Sequence, residues 1–328
     1  MKRIPLAASA LLLAFAQLPA HAQQKAADFP SKPIRLVVPF APGGPTDLAG
    51  RVVGQSVQQI TGKPVVVENR PGAAGVVGAD FVAKSPADGY TLLLCSAGAM
   101  AINPSLTPDI SFVPLRDLTP VTHVVSIPYL LLVNPSSPMH SLGDLIARAK
   151  AMPGKLNAGS AGTGSTSHLA NVLLNTMAKI DTVHVPYKGS ALSDNDLMAG
   201  LLDLTFDAVP PALPLVRSGK LRALAVADSH RLSILPDVPT FAEAGLPGYE
   251  VSTWLGICAP AATPPEIVNK LNKLIVQGAT TDASKKVFAE IGGEVIANSP
   301  DEFRKFIVAE QKKWGDVIRN AGITTTTK

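Results

Sequence analysis

Cysteine is scarce in this sequence: Cys95 and Cys258 are the two present among 328 residues. Neither belongs to a Cys-X-X-Cys motif or a His/Cys cluster, so the sequence indicates no metal site. Both lie in apolar runs that predict buried strands. This favours two unpaired thiols acting as small apolar residues, and it leaves a disulfide between them as the alternative. We predict no cofactor.

Long hydrophobic runs are absent after residue 18. The run at residues 6–18 follows Lys2 and Arg3 and precedes Ala-His-Ala at residues 20–22. It is shorter than the roughly 20 residues that a membrane helix needs. The pattern predicts a secretory signal peptide cleaved near Ala22, without a lipidated cysteine after it. We therefore expect a periplasmic protein.

Charge of one sign is also lacking. The formal net charge of +4 falls to +2 once Lys2 and Arg3 leave with the signal peptide, and no run of Lys or Arg remains. Nucleic acid and anionic membrane surfaces attract proteins through clustered basic residues. We predict neither as a partner.

Motifs of several enzyme classes are missing as well. No Gly-X-Ser-X-Gly, Gly-Lys-Ser/Thr or Gly-X-Gly-X-X-Gly occurs, which argues against an α/β-hydrolase elbow and a phosphate loop. Ser165 and His168 are the nearest candidates for a nucleophile and a base. Three residues apart at one helix start, they have poor geometry for that chemistry. We predict no catalytic residue.

Short apolar, β-branched runs alternate with helical stripes along the mature chain, which predicts α/β units with parallel sheets. About 300 mature residues suffice for two domains. An extended run at residues 251–260 and the helices after it would return the chain to the first domain. We predict a signal peptide at 1–22, a discontinuous first domain at 28–123 plus 252–328, and a second domain at 124–251. A single doubly wound sheet would produce a similar pattern.

The segment PFAPGGPTD at residues 39–47 follows a predicted strand and opens a helix. Gly43 and Gly44 permit close backbone approach, and Pro45 suits the first helical position. The free amides of Gly44, Thr46 and Asp47 at the positive end of a helix would form an anion site. The alternative is an ordinary tight turn with Gly and Pro for geometry alone.

A second segment of this kind, GSAGTGSTSHL at residues 159–169, adds hydroxyl groups to the backbone amides. Within it, His168 is expected to be hydrogen-bonded locally. Ser190 is a candidate helix cap, and Asp207 ends another strand. Several such strand ends on two α/β units are what a cleft for a small anion needs.

The combination of segments resembles the receptors of tripartite tricarboxylate transporters, also called Bug proteins. The similarity runs from about residue 29 to residue 322, and it is specific because many blocks occur together. The matching blocks are residues 39–47, 62–73, 88–92, 102–104, 185–189, 218–225, 236–240 and 243–249.

The resemblance implies an α/β, type II periplasmic binding protein fold: two α/β domains joined by two crossing strands, with a ligand cleft between them. It implies a monomer that captures a small carboxylate by backbone amides and water, for a membrane permease or a sensor. Family ligands include di- and tricarboxylates, amino acids and aromatic carboxylates. Carried over, the ligand-binding residues are Phe40, Ala41, Gly43, Gly44, Thr46, Asp47, Ser96, Ala97, Ala161, Gly162, Thr163, Gly164, Ser165, Thr166, Ser190, Ala191 and Asp207.

One departure from the family pattern follows Ser190 and Ala191. The family usually continues Pro-Ala-X-X-Asp, whereas this chain has Leu-Ser-Asp-Asn-Asp at residues 192–196. If Asp194 faced the ligand it would disfavour a second carboxylate, but we expect it to face water. Two other functions stay open: a secreted hydrolase or isomerase acting on a small carboxylate, and a ligand-sensing receptor for a signalling partner.

Overall fold

The computed structural model describes residues 28–106 and 110–323. The predicted signal peptide at residues 1–22 lies outside the described residues. Among the residues that are described, no helix has the length and apolar character needed to cross a membrane.

Ten strands form in the described chain. In sequence order they are β1 (Ile34–Val38), β2 (Val65–Asn69), β3 (Thr91–Ser96), β4 (Leu118–Val133), β5 (Leu156–Ser160), β6 (Thr182–Pro186), β7 (Leu204–Ala208), β8 (Arg222–Val226), β9 (Ser252–Pro260) and β10 (Glu294–Val295).

Helices connect and cover these strands. They are α1 (Pro45–Thr61), α2 (Val76–Ala83), α3 (Asn103–Leu106), α4 (Pro114–Asp117), α5 (Leu142–Ala151), α6 (Thr166–Ala178), α7 (Ser190–Met198), α8 (Val209–Arg217), α9 (Pro265–Ala279), α10 (Asp282–Glu290) and α11 (Pro300–Asn320). A 3₁₀ turn, Ala73–Gly75, precedes α2, and a π-helical turn, Gly98–Ile102, follows β3.

The strands are ordered β2-β1-β3-β9-β4-β7-β5-β6, with β8 and β10 each pairing with β4. We call β2, β1, β3, β9, β10 and the first part of β4 the first sheet, and the remaining strands the second sheet. β1 is parallel to β2 and β3, and β5 is parallel to β6 and β7. Both sheets therefore have a parallel part, as the strand–helix alternation predicts.

β4 belongs to both sheets. Up to Pro128 it pairs antiparallel with β9, and from Tyr129 onward it pairs antiparallel with β7. The backbone also returns from the second sheet beside this point, where the Tyr129 amide donates to the Val251 carbonyl at 3.1 Å. The predicted domain limits, 124–251 for the second domain, remain a proposal.

The apolar core has three clusters. One contains α1, α9 and one face of the first sheet, and another contains α8 and one face of the second sheet. The largest extends under both sheets: it includes Leu93 of β3, Leu131 of β4, Ala158 of β5 and Trp314 of α11. A continuous core of this kind couples the two sheets through packed side chains.

Candidate functional site

The carboxyl ends of the parallel strands in the two sheets point toward each other. Ser96, at the end of β3, is level with Leu255 of β9 and so with Val125 of β4. In the second sheet, Ala208 at the end of β7 is level with Tyr129 of β4. Four residues of β4 separate the two levels, which at a rise near 3.3 Å per residue is roughly 13 Å. The two sets of strand ends therefore face each other along this segment of β4.

Asp47 shapes the loop that joins β1 to α1. Its carboxylate accepts hydrogen bonds from the Gly43 amide at 3.0 Å, Arg51 Nε at 2.9 Å and Asn69 Nδ2 at 2.9 Å. The Asn69 side chain also donates to the Phe40 carbonyl at 3.0 Å. Burial by itself raises the pKa of Asp47, but the bonds from Arg51, Gly43 and Asn69 outweigh it and lower the pKa to about 2. The carboxylate is therefore ionised, and its hydrogen bonds hold the loop in place.

Free backbone donors remain at the start of α1. The amides of Gly44 and Thr46 have no acceptor among the described residues, whereas the Gly43 amide is already bonded to Asp47. Ala41 is exposed, and Gly44 and Thr46 are partly exposed. Two amides at the positive end of a 17-residue helix can bind an anion.

Ser96 and Ala97 lie buried at the end of β3. The Ser96 hydroxyl has no hydrogen-bond partner in the described chain. A buried hydroxyl without a partner is uncommon in proteins, and it is a donor that a ligand or water would satisfy.

The loop between β5 and α6 uses many of its own amides. The Ala161 amide donates to Ser167 Oγ at 2.9 Å, and the Gly162 amide donates to Ser160 Oγ at 3.1 Å. The Gly164 amide donates to His168 Nδ1 at 3.1 Å. These amides are therefore less available to a ligand than the sequence pattern suggests.

Two threonines retain unbonded amides in this second loop. The Thr163 and Thr166 amides have no acceptor among the described residues, and Thr163 is exposed. The Thr166 side chain lies near the hydroxyl of Tyr129, the residue at which β4 changes partner. Thr166 therefore lies at the boundary between the sheets.

Ser165 caps α6. Its Oγ accepts from the His168 amide at 3.3 Å and donates to the Gly162 carbonyl at 2.6 Å. The His168 ring accepts from Gly164 instead, which confirms the expected local bonding of this histidine. The Ser165 hydroxyl and the His168 ring are not a nucleophile–base pair in the described structure.

A second serine–histidine contact lies beneath this loop. Ser160 Oγ is 2.6 Å from His184 Nε2, and the His184 ring stacks on the His168 ring with centroids 3.8 Å apart. Burial, followed by the neighbouring His184, lowers the pKa of His168 to about 4. Ser160 is fully buried, so a substrate has no access to its hydroxyl.

The expectation that Asp194 faces water is wrong. Asp194 is 3% exposed and lies beside Asp207, which is 4% exposed, and one buried oxygen of each carboxyl group has no other hydrogen-bond partner in the described chain. Asp207 accepts from the Ala208 amide at 2.8 Å, and the nearby Ser190 side chain favours its ionised form. Residues 190 and 194 lie one helical turn apart, so both face β7. The expectation rested on the helix dipole, which does not determine the face of the helix on which a side chain lies. Ala191, on the neighbouring face of α7, is exposed.

Burial raises the pKa of Asp194, and the adjacent Asp207 raises it further. Two contacting carboxyl groups of this kind share one proton, because both cannot ionise in a buried position. The pair therefore carries a single negative charge beneath the start of α7 at neutral pH.

One group of potential metal ligands lies elsewhere in the described chain. Asp228, His230 and Glu294 have ligand atoms within 4.8 Å of one another, and the latter two are exposed. The His230 ring already contacts Asp228 and Glu294 through different nitrogens, at 3.4 and 3.0 Å. None of the three belongs to the predicted ligand loops.

Several residues that shape these loops were not singled out from the sequence. Arg51 and Asn69 bond to Asp47, and Ser160 bonds to Gly162. Tyr129 lies near Thr166, and His184 contacts Ser160. The signal available for Asn69 and Ser160 was their position at strand ends. Their partners could not be identified, because those contacts depend on which strands are neighbours.

Comparison with known proteins gives a consistent result. Residues 49–323 match the tripartite tricarboxylate transporter family receptor. Protein BugT of Bordetella pertussis is 42% identical over 297 residues, covering 90% of this chain and 90% of the relative.

Two solved structures from Rhodopseudomonas palustris share the fold. One, solved with adipate, has a TM-score of 0.76 and 39% identity, covering 90% of this chain and 99% of its own. MatC, solved with bound malate, has a TM-score of 0.72 and 34% identity, covering 88% and 100%. These likenesses confirm the predicted fold class, a periplasmic binding protein with two α/β domains. The chain belongs to the tripartite tricarboxylate transporter receptor family.

Proposed function

We propose that this chain is a periplasmic receptor that holds a small carboxylate-bearing solute between its two sheets and presents it to a membrane transporter. The alternative function, a ligand-sensing receptor for a signalling partner, would hold its ligand in the same place. The observation that carries the proposal is the pair of unbonded amides, Gly44 and Thr46, at the start of α1. In the proposed complex these amides bind the ligand's carboxylate.

The two sides of the cleft are unequal. The first-sheet side offers helix-start amides, and the buried carboxylate of Asp47 beside them is neutralised by Arg51. The second-sheet side carries the proton-sharing pair Asp194 and Asp207. A ligand carboxylate is therefore attracted mainly to the start of α1. The adipate and malate bound by two relatives are small carboxylates, which supports this ligand class.

Binding rather than catalysis fits the side chains near the cleft. The Ser165 hydroxyl is used as a helix cap, and Ser160 is buried. Product formed from any member of a carboxylate panel at enzymatic rates would contradict the receptor assignment.

Thermal unfolding with a panel of carboxylates, including adipate and malate, tests ligand capture. A ligand at about 100 times its Kd adds about 2.7 kcal/mol of stability. For a chain of this size the midpoint should rise by several degrees with a true ligand. No shift with any carboxylate would contradict the proposal.

Gly44→Val tests the α1 loop directly. Gly44 has extended dihedral angles, φ −84° and ψ 170°, and nothing lies within 4 Å of an added Cβ. The variant should fold normally, and the valine should cover the amides and lower affinity at least tenfold by titration calorimetry. Gly143→Val is the matched control, because Gly143 is exposed at the start of α5 and a Cβ there meets only Ser141 Oγ at 3.6 Å. Equal affinity in Gly44→Val would remove this loop from the site.

A further inference from the structure

Cys95 and Cys258 lie side by side on neighbouring strands. β3 and β9 are antiparallel, with Leu93 opposite Cys258 and Cys95 opposite Gly256. The two cysteines are therefore diagonal neighbours whose side chains point to the same face of the first sheet. Their Sγ atoms are 2.7 Å apart, and both residues are fully buried.

This sulphur–sulphur separation is shorter than a non-bonded contact between two sulphur atoms. A disulfide bond measures about 2.04 Å, so small side-chain movements would close the remaining gap. Each thiol has the other as its hydrogen-bond partner in the described chain. At this separation the two thiols are arranged as the reduced form of a disulfide.

We propose that Cys95 and Cys258 form an intramolecular disulfide in the exported protein. The proposal rests on the periplasmic location proposed above, because the periplasm is oxidising and the cytosol keeps thiols reduced. The oxidant is a disulfide-bearing oxidoreductase or small-molecule disulfide. One cysteine thiolate attacks the oxidant's S–S bond to form a mixed disulfide, and the second displaces the oxidant's remaining sulphur. The two protons and two electrons leave on the two thiols of the reduced oxidant.

Burial constrains when this reaction occurs. Burial raises the pKa of the Cys258 thiol, so the folded protein holds little of the reactive thiolate. Oxidation therefore takes place while β3 and β9 are still accessible. Burial also prevents either folded thiol from pairing with another molecule.

The bond would act next to the cleft. Cys95 immediately precedes Ser96, the residue with the unpaired hydroxyl, and β9 pairs with β4 beside it. A covalent link between positions 163 residues apart would fix the end of β3 to β9 and restrict the unfolded chain. We expect the oxidised form to have the higher thermal midpoint.

The test expresses the full chain with its own N-terminal residues in a Gram-negative host and recovers the periplasmic fraction. The protein is denatured without reductant, treated with an alkylating agent and weighed by mass spectrometry. The expected result is no alkylation and a mass lower by two hydrogens, with two alkyl groups added after reduction. Two alkylated thiols in unreduced periplasmic protein would overturn the proposal.

A stability comparison provides a second readout. Reduction should lower the thermal midpoint of the wild type by several degrees and leave the double variant Cys95→Ser/Cys258→Ser unchanged. If that variant does not fold, Cys95→Ala alone serves as the control. An equal midpoint in reduced and oxidised wild type contradicts the stabilising role. Failure of export would contradict the periplasmic location on which the proposal rests, and the thiols would then stay reduced. Failure of carboxylate binding would contradict the receptor function and would leave the thiol count of the exported protein unchanged.

Discussion

At the scale of single residues, the carboxyl pair of Asp194 and Asp207 has a measurable consequence for stability. The folded-state pKa of Asp194 lies above its unfolded value because of burial and the adjacent carboxyl. The folded protein then binds more protons than the unfolded chain between those two values. The contribution of Asp194 to stability is consequently fully present below its unfolded pKa and is lost as pH rises through its folded-state pKa of about 8.

We predict that Asp194→Asn makes stability less dependent on pH. An amide at position 194 can donate to Asp207 without holding a titrating proton, so the fall in thermal midpoint between about pH 5 and about pH 8 should shrink. The matched control is Asp237→Asn, because the carboxyl of Asp237 is exposed. This variant should leave the pH profile unchanged. The buried histidines contribute equally to the pH dependence of the thermal midpoint in variant and wild type, so the difference between the two profiles reports on Asp194. An identical pH profile in Asp194→Asn and wild type would refute the shared proton.

At the scale of secondary-structure elements, β9 packs closely against its neighbours at Gly256. A Cβ at this position would lie 2.8 Å from the Thr122 carbonyl oxygen of β4 and would overlap the Phe303 ring of α11. Backbone and a core ring cannot move aside easily. Gly256→Ala should therefore lower the free energy of unfolding by about 1–3 kcal/mol.

Urea unfolding measures this effect. Gly143→Ala, at an exposed helical position, is the control and should be neutral or slightly stabilising. An unchanged urea midpoint in Gly256→Ala would show that β9 and α11 pack less closely than described.

Element boundaries followed from the sequence where one physical signal dominates. The apolar run around Cys95 forms the buried strand at residues 91–96, as predicted, and the extended run predicted at residues 251–260 forms β9, Ser252–Pro260. The sequence pattern does not predict β4 as one strand, since Pro120, Pro128 and the polar Thr122 and His123 interrupt it. Its 16 residues form one strand because two different sheets supply its partners.

Loop interiors were predicted less well than strands. Glycine and hydroxyl residues indicate a loop rich in donors, but the sequence does not tell which donors are already bonded. The Asp47–Asn69 contact links residues 22 positions apart, and the Gly164–His168 contact uses a ring nitrogen. Both follow from tertiary proximity, so the set of free amides emerged only from the structure. Which of the predicted residues touch a ligand remains a prediction.

At the scale of the whole molecule, the largest core cluster joins the two sheets. Because it runs from Leu93 to Ala158 and includes Trp314, we predict that both sheets unfold in one cooperative transition. Tryptophan fluorescence, from Trp254 and Trp314, should coincide with far-ultraviolet circular dichroism across a urea titration. Two separated transitions would indicate independently stable domains.

The strand shared by both sheets also determines how far each part of the protein can travel. If the sheets rotate about residues 125–129, displacement grows with distance from that segment. The neighbours of β4, such as β9 and β7, then move little, while the outermost strands, β2 and β6, are displaced the most. A membrane partner that distinguishes a loaded receptor from an empty one would gain most by touching those outer rims.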